Sequence, residues 1–189
     1  MTNNLYSLFF KKRDFDYEIK SKLKSLKSSN EILFNFLREF CKLKKLDINF
    51  EKLDNLFLNL TKMPFEDSYK GYLTHPIRVT FSFIDNLNSP NYDDVSLALC
   101  HNIIEMGFEK ELKKTPDLIS EKVWNLIDKL TINREKSKNL EYLNVYYDNI
   151  NKEKNLMLLK ALDKLDNTLW WVQLDHVTSY DVLVVKEFV

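Results

Sequence analysis

The sequence predicts an all-α fold. The 189 residues include only 2 glycines and 4 prolines, which is few for a protein built from hairpins and favours helices joined by short connections. Apolar residues also recur at helical spacing in several long segments. The hydrophobic fraction of 44% is enough for a sizeable core, and a chain of this length is expected to form one main domain.

Two amphipathic helices are predicted in the N-terminal third. The first covers residues 31–46, and its apolar residues at helical spacing are Ile32, Phe36, Phe40 and Leu43. The second covers residues 50–60 and repeats the pattern. We assign residues 1–48 to an N-terminal helical extension and residues 49–189 to the main domain.

Two further helices are predicted around the middle of the chain, after a loop over residues 63–74. One covers residues 75–87, with Pro76 in its first turn, where the missing N–H costs nothing. The next covers residues 92–106 and is the central helix. Gly107 is expected to end it, because glycine readily adopts the left-handed conformation that closes many helices.

Three more helices are predicted in the C-terminal half. Thr115 followed by Pro116 is typical of a helix start, so the first is expected to run from there to residue 130. The others cover residues 134–150 and 152–172. The run of β-branched residues at 182–185 would form a strand by propensity alone.

Candidate metal ligands lie in three of these helices. In the central helix His101 and Glu105 are one turn apart on one face, with Asn102 beside them. His75 lies at a helix start, and Asp163 interrupts an apolar helical pattern. Two imidazoles, an amide and a carboxylate converging from three helices would form a divalent-metal site.

Each of these residues also has a structural interpretation. A histidine at a helix start is more often structural than a ligand, and His101 could be a core histidine with its hydrogen bonds satisfied. A buried Asp163 needs a positive partner, which Lys164 or Arg78 would provide as an ordinary ion pair.

Charge and cysteine content exclude several classes of protein. The formal net charge is zero, so nothing predicts attraction to nucleic acid or to an anionic membrane. No signal peptide or membrane-spanning apolar run is recognisable. Cys41 and Cys100 do not make a disulfide framework. We therefore expect a cytoplasmic protein with no nucleic-acid or membrane partner.

Several segments together resemble the HD-domain phosphohydrolase superfamily, and within it the RelA/SpoT-type hydrolase domain and the small alarmone hydrolases. Residues 71–79 resemble the family segment Pro-Tyr-x-x-His-Pro-x-x-Val, and residues 97–106 resemble Ala-Leu-Leu-His-Asp-x-x-Glu-Asp. Residues 159–167 resemble Lys-x-Ala-Asp-Arg-Leu-x-Asn, and residues 123–131 resemble a helix that ends in Leu-Thr. The similarity extends from about residue 50 to about residue 171.

This resemblance implies an all-α HD-domain bundle, preceded here by extra N-terminal helices. It implies that manganese (Mn²⁺) is bound by His75, His101, Asn102 and Asp163, and that Glu105 helps to activate the attacking water. Asn167 falls on a residue that contacts the ribose, while Tyr72 and Ser68 fall at the rim of the nucleotide pocket. The expected ligand is a nucleotide or another small phosphate ester, and Arg78 and Lys164 would stabilise the charge on its phosphate.

The chain departs from the family pattern at three places. Asn102 replaces the aspartate of the His-Asp pair, and Met106 replaces a second carboxylate near the attacking water. The segment Glu66-Asp67 stands where alarmone hydrolases carry an Arg-Lys pair that binds the nucleotide. Two functions therefore stay open. One is a phosphohydrolase, and the other is a catalytically impaired module that binds a nucleotide or a protein partner.

Overall fold

The computed structural model describes residues 29–64 and 73–173, and within those ranges it contains eight α-helices and no strand. The predicted all-α fold is therefore confirmed for the described chain. The predicted strand at residues 182–185 lies outside the described residues. In chain order the helices are α1 (Ser29–Leu43), α2 (Phe50–Thr61), α3 (Thr74–Asp85), α4 (Tyr92–Cys100), α5 (Glu109–Leu112), α6 (Glu121–Leu130), α7 (Leu140–Asn151) and α8 (Lys154–Gln173).

Side-chain caps define the starts of four helices. Asn91 and Asp94 form a reciprocal capping box at the start of α4. Asn49, Ser120 and Asn139 each accept a hydrogen bond from a backbone N–H in the first turn of α2, α6 and α7, respectively. These caps satisfy backbone donors that would otherwise have no partner at a helix start.

The caps also explain two corrections to the predicted helix starts. The chain forms a single 3₁₀ turn at Pro116–Leu118, and α6 begins only at Glu121 because Ser120 provides the cap. A second 3₁₀ turn at Arg134–Lys136 precedes α7, which begins at Leu140 rather than at residue 134.

The central helix is shorter than predicted. Helix α4 ends at Cys100, and residues 101–107 form a series of turns instead of continuing to residue 106. The Nδ1 atom of His101 lies 2.7 Å from the carbonyl oxygen of Ala98, which in a regular helix accepts from the backbone N–H of residue 102. The imidazole thus competes for this carbonyl.

Gly107 closes the turns in the left-handed conformation predicted for it, with φ at +79°. The backbone N–H of Phe108 donates to the carbonyl of Ile103, and that of Gly107 donates to the carbonyl of Ile104. These two bonds form the Schellman arrangement that typically ends a helix.

Helix α1 buries a different face from the one predicted. Ile32, Phe36 and Leu43 are 44%, 52% and 74% exposed, whereas Phe34 and Leu37 are buried. The ring of Phe34 stacks on that of Phe57 in α2, with centroids 3.9 Å apart. The sequence of α1 carries two apolar stripes, and the stripe of Phe34 and Leu37 packs into the core.

The centre of the bundle is α3, which packs against α1, α4 and α8. Both cysteines are buried in this core, and burial raises the pKa of the Cys41 thiol to about 11. None of the described helices has the length and apolar character needed to span a membrane.

The packing of α1 predicts that two adjacent residues respond differently to truncation. Leu37→Ala should lower the free energy of unfolding by about 2–5 kcal/mol, because it leaves a cavity in the core. Phe36→Ala, the matched control on the exposed face, should change it by about 0.5 kcal/mol or less. Urea unfolding measures both values, and a Phe36→Ala cost equal to that of Leu37→Ala would contradict the observed orientation of α1.

Candidate metal centre

Three helices bring His75, His101 and Asp163 together. His75 is the second residue of α3, His101 directly follows α4, and Asp163 lies in α8. Each offers one ligand atom, and these atoms lie within 4.8 Å of one another. The Oδ1 atom of Asp163 lies 3.3 Å from Nε2 of His75 and 3.6 Å from Nε2 of His101. We call these three residues the central cluster.

The backbone fixes the orientation of the His101 ring. Its Nδ1 atom must donate to the carbonyl of Ala98, because a carbonyl oxygen can only accept. In the neutral ring Nε2 then carries the lone pair. This atom is buried and makes no hydrogen bond in the described part of the chain. Two acceptors, the Nε2 of His101 and the Oδ1 of Asp163, therefore face each other in a buried space.

A carboxylate orients the His75 ring in a similar way. The Nδ1 atom of His75 lies 2.7 Å from Oδ2 of Asp166. Arg78 donates to both oxygens of the same carboxylate, from Nε at 2.8 Å and from Nη2 at 2.7 Å. Arg78 also donates from Nη1 to the hydroxyl of Thr74.

The pKa values of this group follow from these bonds. Burial acts to raise the pKa of Asp166, but hydrogen bonds from His75 and Arg78 outweigh it and hold the pKa below its ordinary value. Burial likewise acts to lower the pKa of His75, and the carboxylates of Asp163 and Asp166 raise it overall. Asp166 is thus an anion that accepts the Nδ1 proton of His75.

The second oxygen of Asp163 contacts two ammonium groups. Its Oδ2 atom lies 3.4 Å from Nζ of Lys160 and 3.5 Å from Nζ of Lys164. The side-chain amide of Asn167 donates to Oδ1 at 2.8 Å. Burial acts to raise the pKa of Asp163, but the two histidines and the two lysines hold it well below its ordinary value.

Glu105 lies beside the central cluster and is not one of its members in the described chain. Its Oε1 atom accepts a hydrogen bond from the backbone N–H of Ile132 and lies 4.0 Å from Nζ of Lys160. Lys160 is 3% exposed and also donates to the carbonyl of Leu130 at 3.5 Å. This lysine thus stands between Glu105 and Asp163.

The remaining predicted site residues have different outcomes. Asn102 is half-buried next to His101, and its side chain makes no hydrogen bond within the described residues. Arg78 and Lys164 are bound to Asp166 and Asp163, respectively, and Asn167 contacts Asp163. Ser68, Tyr72 and the pair Glu66-Asp67 lie outside the described residues.

The central cluster fits a divalent cation in geometry and donor type. Ligands about 2.0–2.2 Å from one ion are roughly 3.0–3.5 Å apart, and the separations from Oδ1 to the two Nε2 atoms are 3.3 and 3.6 Å. Imidazole nitrogen and carboxylate oxygen are ordinary ligands of such ions. The surrounding charge is balanced, however, because three cations and three carboxylates meet here. They are Arg78, Lys160, Lys164, Glu105, Asp163 and Asp166.

Comparisons of the chain with protein-family models, with curated proteins and with solved structures returned no match.

Sequence reasoning missed Asp166 and Lys160. Both lie three residues from Asp163, in opposite directions along α8, which places all three side chains on one face of the helix. A charged face centred on the buried Asp163 was the signal available, but the sequence does not show that Asp166 pairs with Arg78 of a distant helix.

Asp163→Asn is predicted to destabilise the metal-free protein by about 3–5 kcal/mol at pH 7, because the buried Lys160 loses its nearest carboxylate. The folded pKa of Asp163 lies below its ordinary value of 3.8. Its contribution is therefore present above about pH 4 and is lost as the pH falls through the folded pKa. Urea unfolding in EDTA at several pH values should show that the difference between wild type and variant shrinks in acid.

The matched control is Asp85→Asn, which breaks an exposed ion pair with Lys44 and should cost at most about 1 kcal/mol. A difference between wild type and Asp163→Asn that stays constant down to the most acidic pH, or that is absent at pH 7, would contradict the interpretation.

Proposed function

We propose that this protein is a metal-dependent phosphohydrolase that cleaves a phosphate or pyrophosphate ester of a nucleotide. The observation that carries the proposal is the buried Nε2 atom of His101, which faces Oδ1 of Asp163 with no hydrogen bond of its own. Two acceptors buried side by side are stabilised when a cation lies between them. His75 adds a second imidazole nitrogen to the same space.

The resemblance to HD-domain phosphohydrolases supports the type of reaction. It implies the same three ligands, with manganese as the metal and Asn102 as a fourth ligand. A divalent cation bound here would polarise a phosphoryl oxygen and lower the pKa of a water molecule.

The surrounding side chains would supply the remaining functions. Lys164 is one-quarter exposed beside Asp163, so its ammonium group is placed to stabilise negative charge on a bound phosphate. Arg78 would act from its position on Asp166. Glu105, next to Lys160, would accept the proton of the attacking water, and Asn167 would contact the ribose.

A second candidate is a protein of the same fold that binds a nucleotide without cleaving it. The position of Glu105 favours this alternative, because its carboxylate is bound by the backbone of Ile132 and lies beyond Lys160. The balanced charge around Asp163 also favours weak metal binding, because a dication would find no excess of negative charge. No nucleic-acid or membrane partner is proposed.

The deciding experiment measures metal binding and hydrolysis together. Protein purified without chelator is analysed for metal content, titrated with Mn²⁺ and assayed for phosphate release from nucleotides carrying different numbers of phosphates. The phosphohydrolase predicts Mn²⁺ binding and Mn²⁺-dependent release, and His101→Gln should lower both at least tenfold. His176→Gln is the control, because the sequence does not place this third histidine in the site.

Each outcome selects one of the candidates. Nucleotide binding without phosphate release in saturating Mn²⁺ would replace the hydrolase by the binding protein. Loss of Mn²⁺ binding to the same extent in both histidine variants would contradict the central cluster as the metal site.

Asn102→Asp should raise the affinity for Mn²⁺, and with it any hydrolase activity. The substitution changes almost no volume but adds a negative charge where the surrounding charges are balanced, and dication sites are tuned by ligand charge. Asn125→Asp, on the exposed face of α6, is the matched control and should leave the affinity unchanged. A variant that melts at a lower temperature and binds Mn²⁺ no better would show that residue 102 does not face a metal.

A further inference from the structure

The geometry points to Asp166 and Arg78 as a positioning pair that holds His75 ready to bind a metal. Asp166 receives the Nδ1–H of His75, so that Nε2 is directed towards Asp163. Arg78 holds both oxygens of Asp166 in place. The inference rests on the proposed function for the identity of the metal, and it assigns a role to two residues that do not touch the metal themselves.

The contacts of Asp166 carry the first step. Its Oδ2 atom lies 2.7 Å from Nδ1 of His75 and 2.7 Å from Nη2 of Arg78, while Oδ1 accepts from Nε of Arg78 at 2.8 Å. The guanidinium group thus binds the carboxylate with two parallel hydrogen bonds, a geometry that fixes both groups. The Asp166 side chain is 13% exposed, so water competes little with these bonds.

The position of His75 carries the second step. The ring is the second residue of α3, at a helix start where a side chain has few neighbours along its own helix. A ligating histidine in proteins almost always donates its other N–H to a carboxylate, a backbone carbonyl or water, and this bond sets both tautomer and ring orientation. The acceptor for His75 is Asp166 of α8, which comes from the same helix as the ligand Asp163.

The comparison with His101 carries the third step. There the acceptor is the backbone carbonyl of Ala98, three residues earlier in the same chain segment. His101 is therefore oriented by its own helix, whereas His75 depends on a bond between two helices. Loss of Asp166 should consequently affect His75 and leave the hydrogen bond between His101 and Ala98 in place.

The first test measures Mn²⁺ affinity in a charge-balanced set of variants. Asp166→Ala should weaken Mn²⁺ binding by about 10–100-fold, the usual effect of losing the partner of a ligating histidine, and Asp166→Glu should recover part of it. Asp54→Ala is the matched control. It removes the carboxylate of the pair that Arg38 and Asp54 form between α1 and α2, and it should leave the affinity unchanged.

A simple loss of negative charge would also weaken Mn²⁺ binding, and the double variant separates the two causes. Asp166→Ala combined with Arg78→Met removes one charge of each sign. If Asp166 acts by positioning His75, the double variant binds Mn²⁺ as weakly as Asp166→Ala. If it acts by charge alone, the double variant returns to wild-type affinity, and Arg78→Met by itself binds more tightly than wild type. The second pattern would overturn the inference.

A measurement on the metal-free protein does not depend on any variant folding well. With ¹⁵N-labelled histidine, long-range ¹H–¹⁵N correlation spectra identify the protonated nitrogen of each neutral ring at alkaline pH. We expect the proton of His75 on Nδ1 in wild type and a mixture of tautomers in Asp166→Ala, with His101 unchanged. A His75 proton on Nε2 in wild type would overturn the inference.

These readouts keep the two proposals apart. If wild type binds no Mn²⁺, the proposed metal-dependent function fails, and the tautomer of His75 still decides whether Asp166 positions the ring. If wild type binds Mn²⁺ but Asp166→Ala binds it equally well, the positioning pair fails and the metal centre stands.

Discussion

Burial of the Asp163 carboxylate is the constraint on which the arrangement of the helices around it depends. A carboxylate with 2% of its side chain exposed is stable only if its charge and lone pairs find partners. Here α3 provides His75, the chain after α4 provides His101, and α8 provides Lys160, Lys164 and Asn167. One side chain therefore joins three helices through polar contacts at a place where apolar packing alone would leave a buried charge.

The two oxygens of this carboxylate face different surroundings. Oδ2 contacts the ammonium groups of Lys160 and Lys164, while Oδ1 faces the two imidazole rings. The lysines neutralise much of the charge of Asp163 and leave Oδ1 directed towards the histidines. The same group of residues thus explains both the stability of a buried carboxylate and the space beside it that suits a cation.

The sequence predicted the all-α fold because helical periodicity and the scarcity of glycine and proline are local properties that survive folding. Features that depend on contacts between distant residues could not be predicted in this way. The early end of α4 follows from the bond between His101 and Ala98, and the exposed side of α1 follows from a choice between two apolar stripes. Ser120, not Thr115, caps α6, although both residues suit that position.

The location of the two thiols has a consequence for the chemistry of the site. Cys100 directly precedes His101 in the chain, yet its side chain is 1% exposed and packs in the core, as does that of Cys41. Neither sulfur belongs to the central cluster. The described residues therefore present only nitrogen and oxygen to an ion, which disfavours soft, sulfur-seeking metals such as Cu(I). Oxidants and thiol reagents also lack easy access to the neighbouring sulfur, so a metal held there would be insensitive to the redox state of its surroundings.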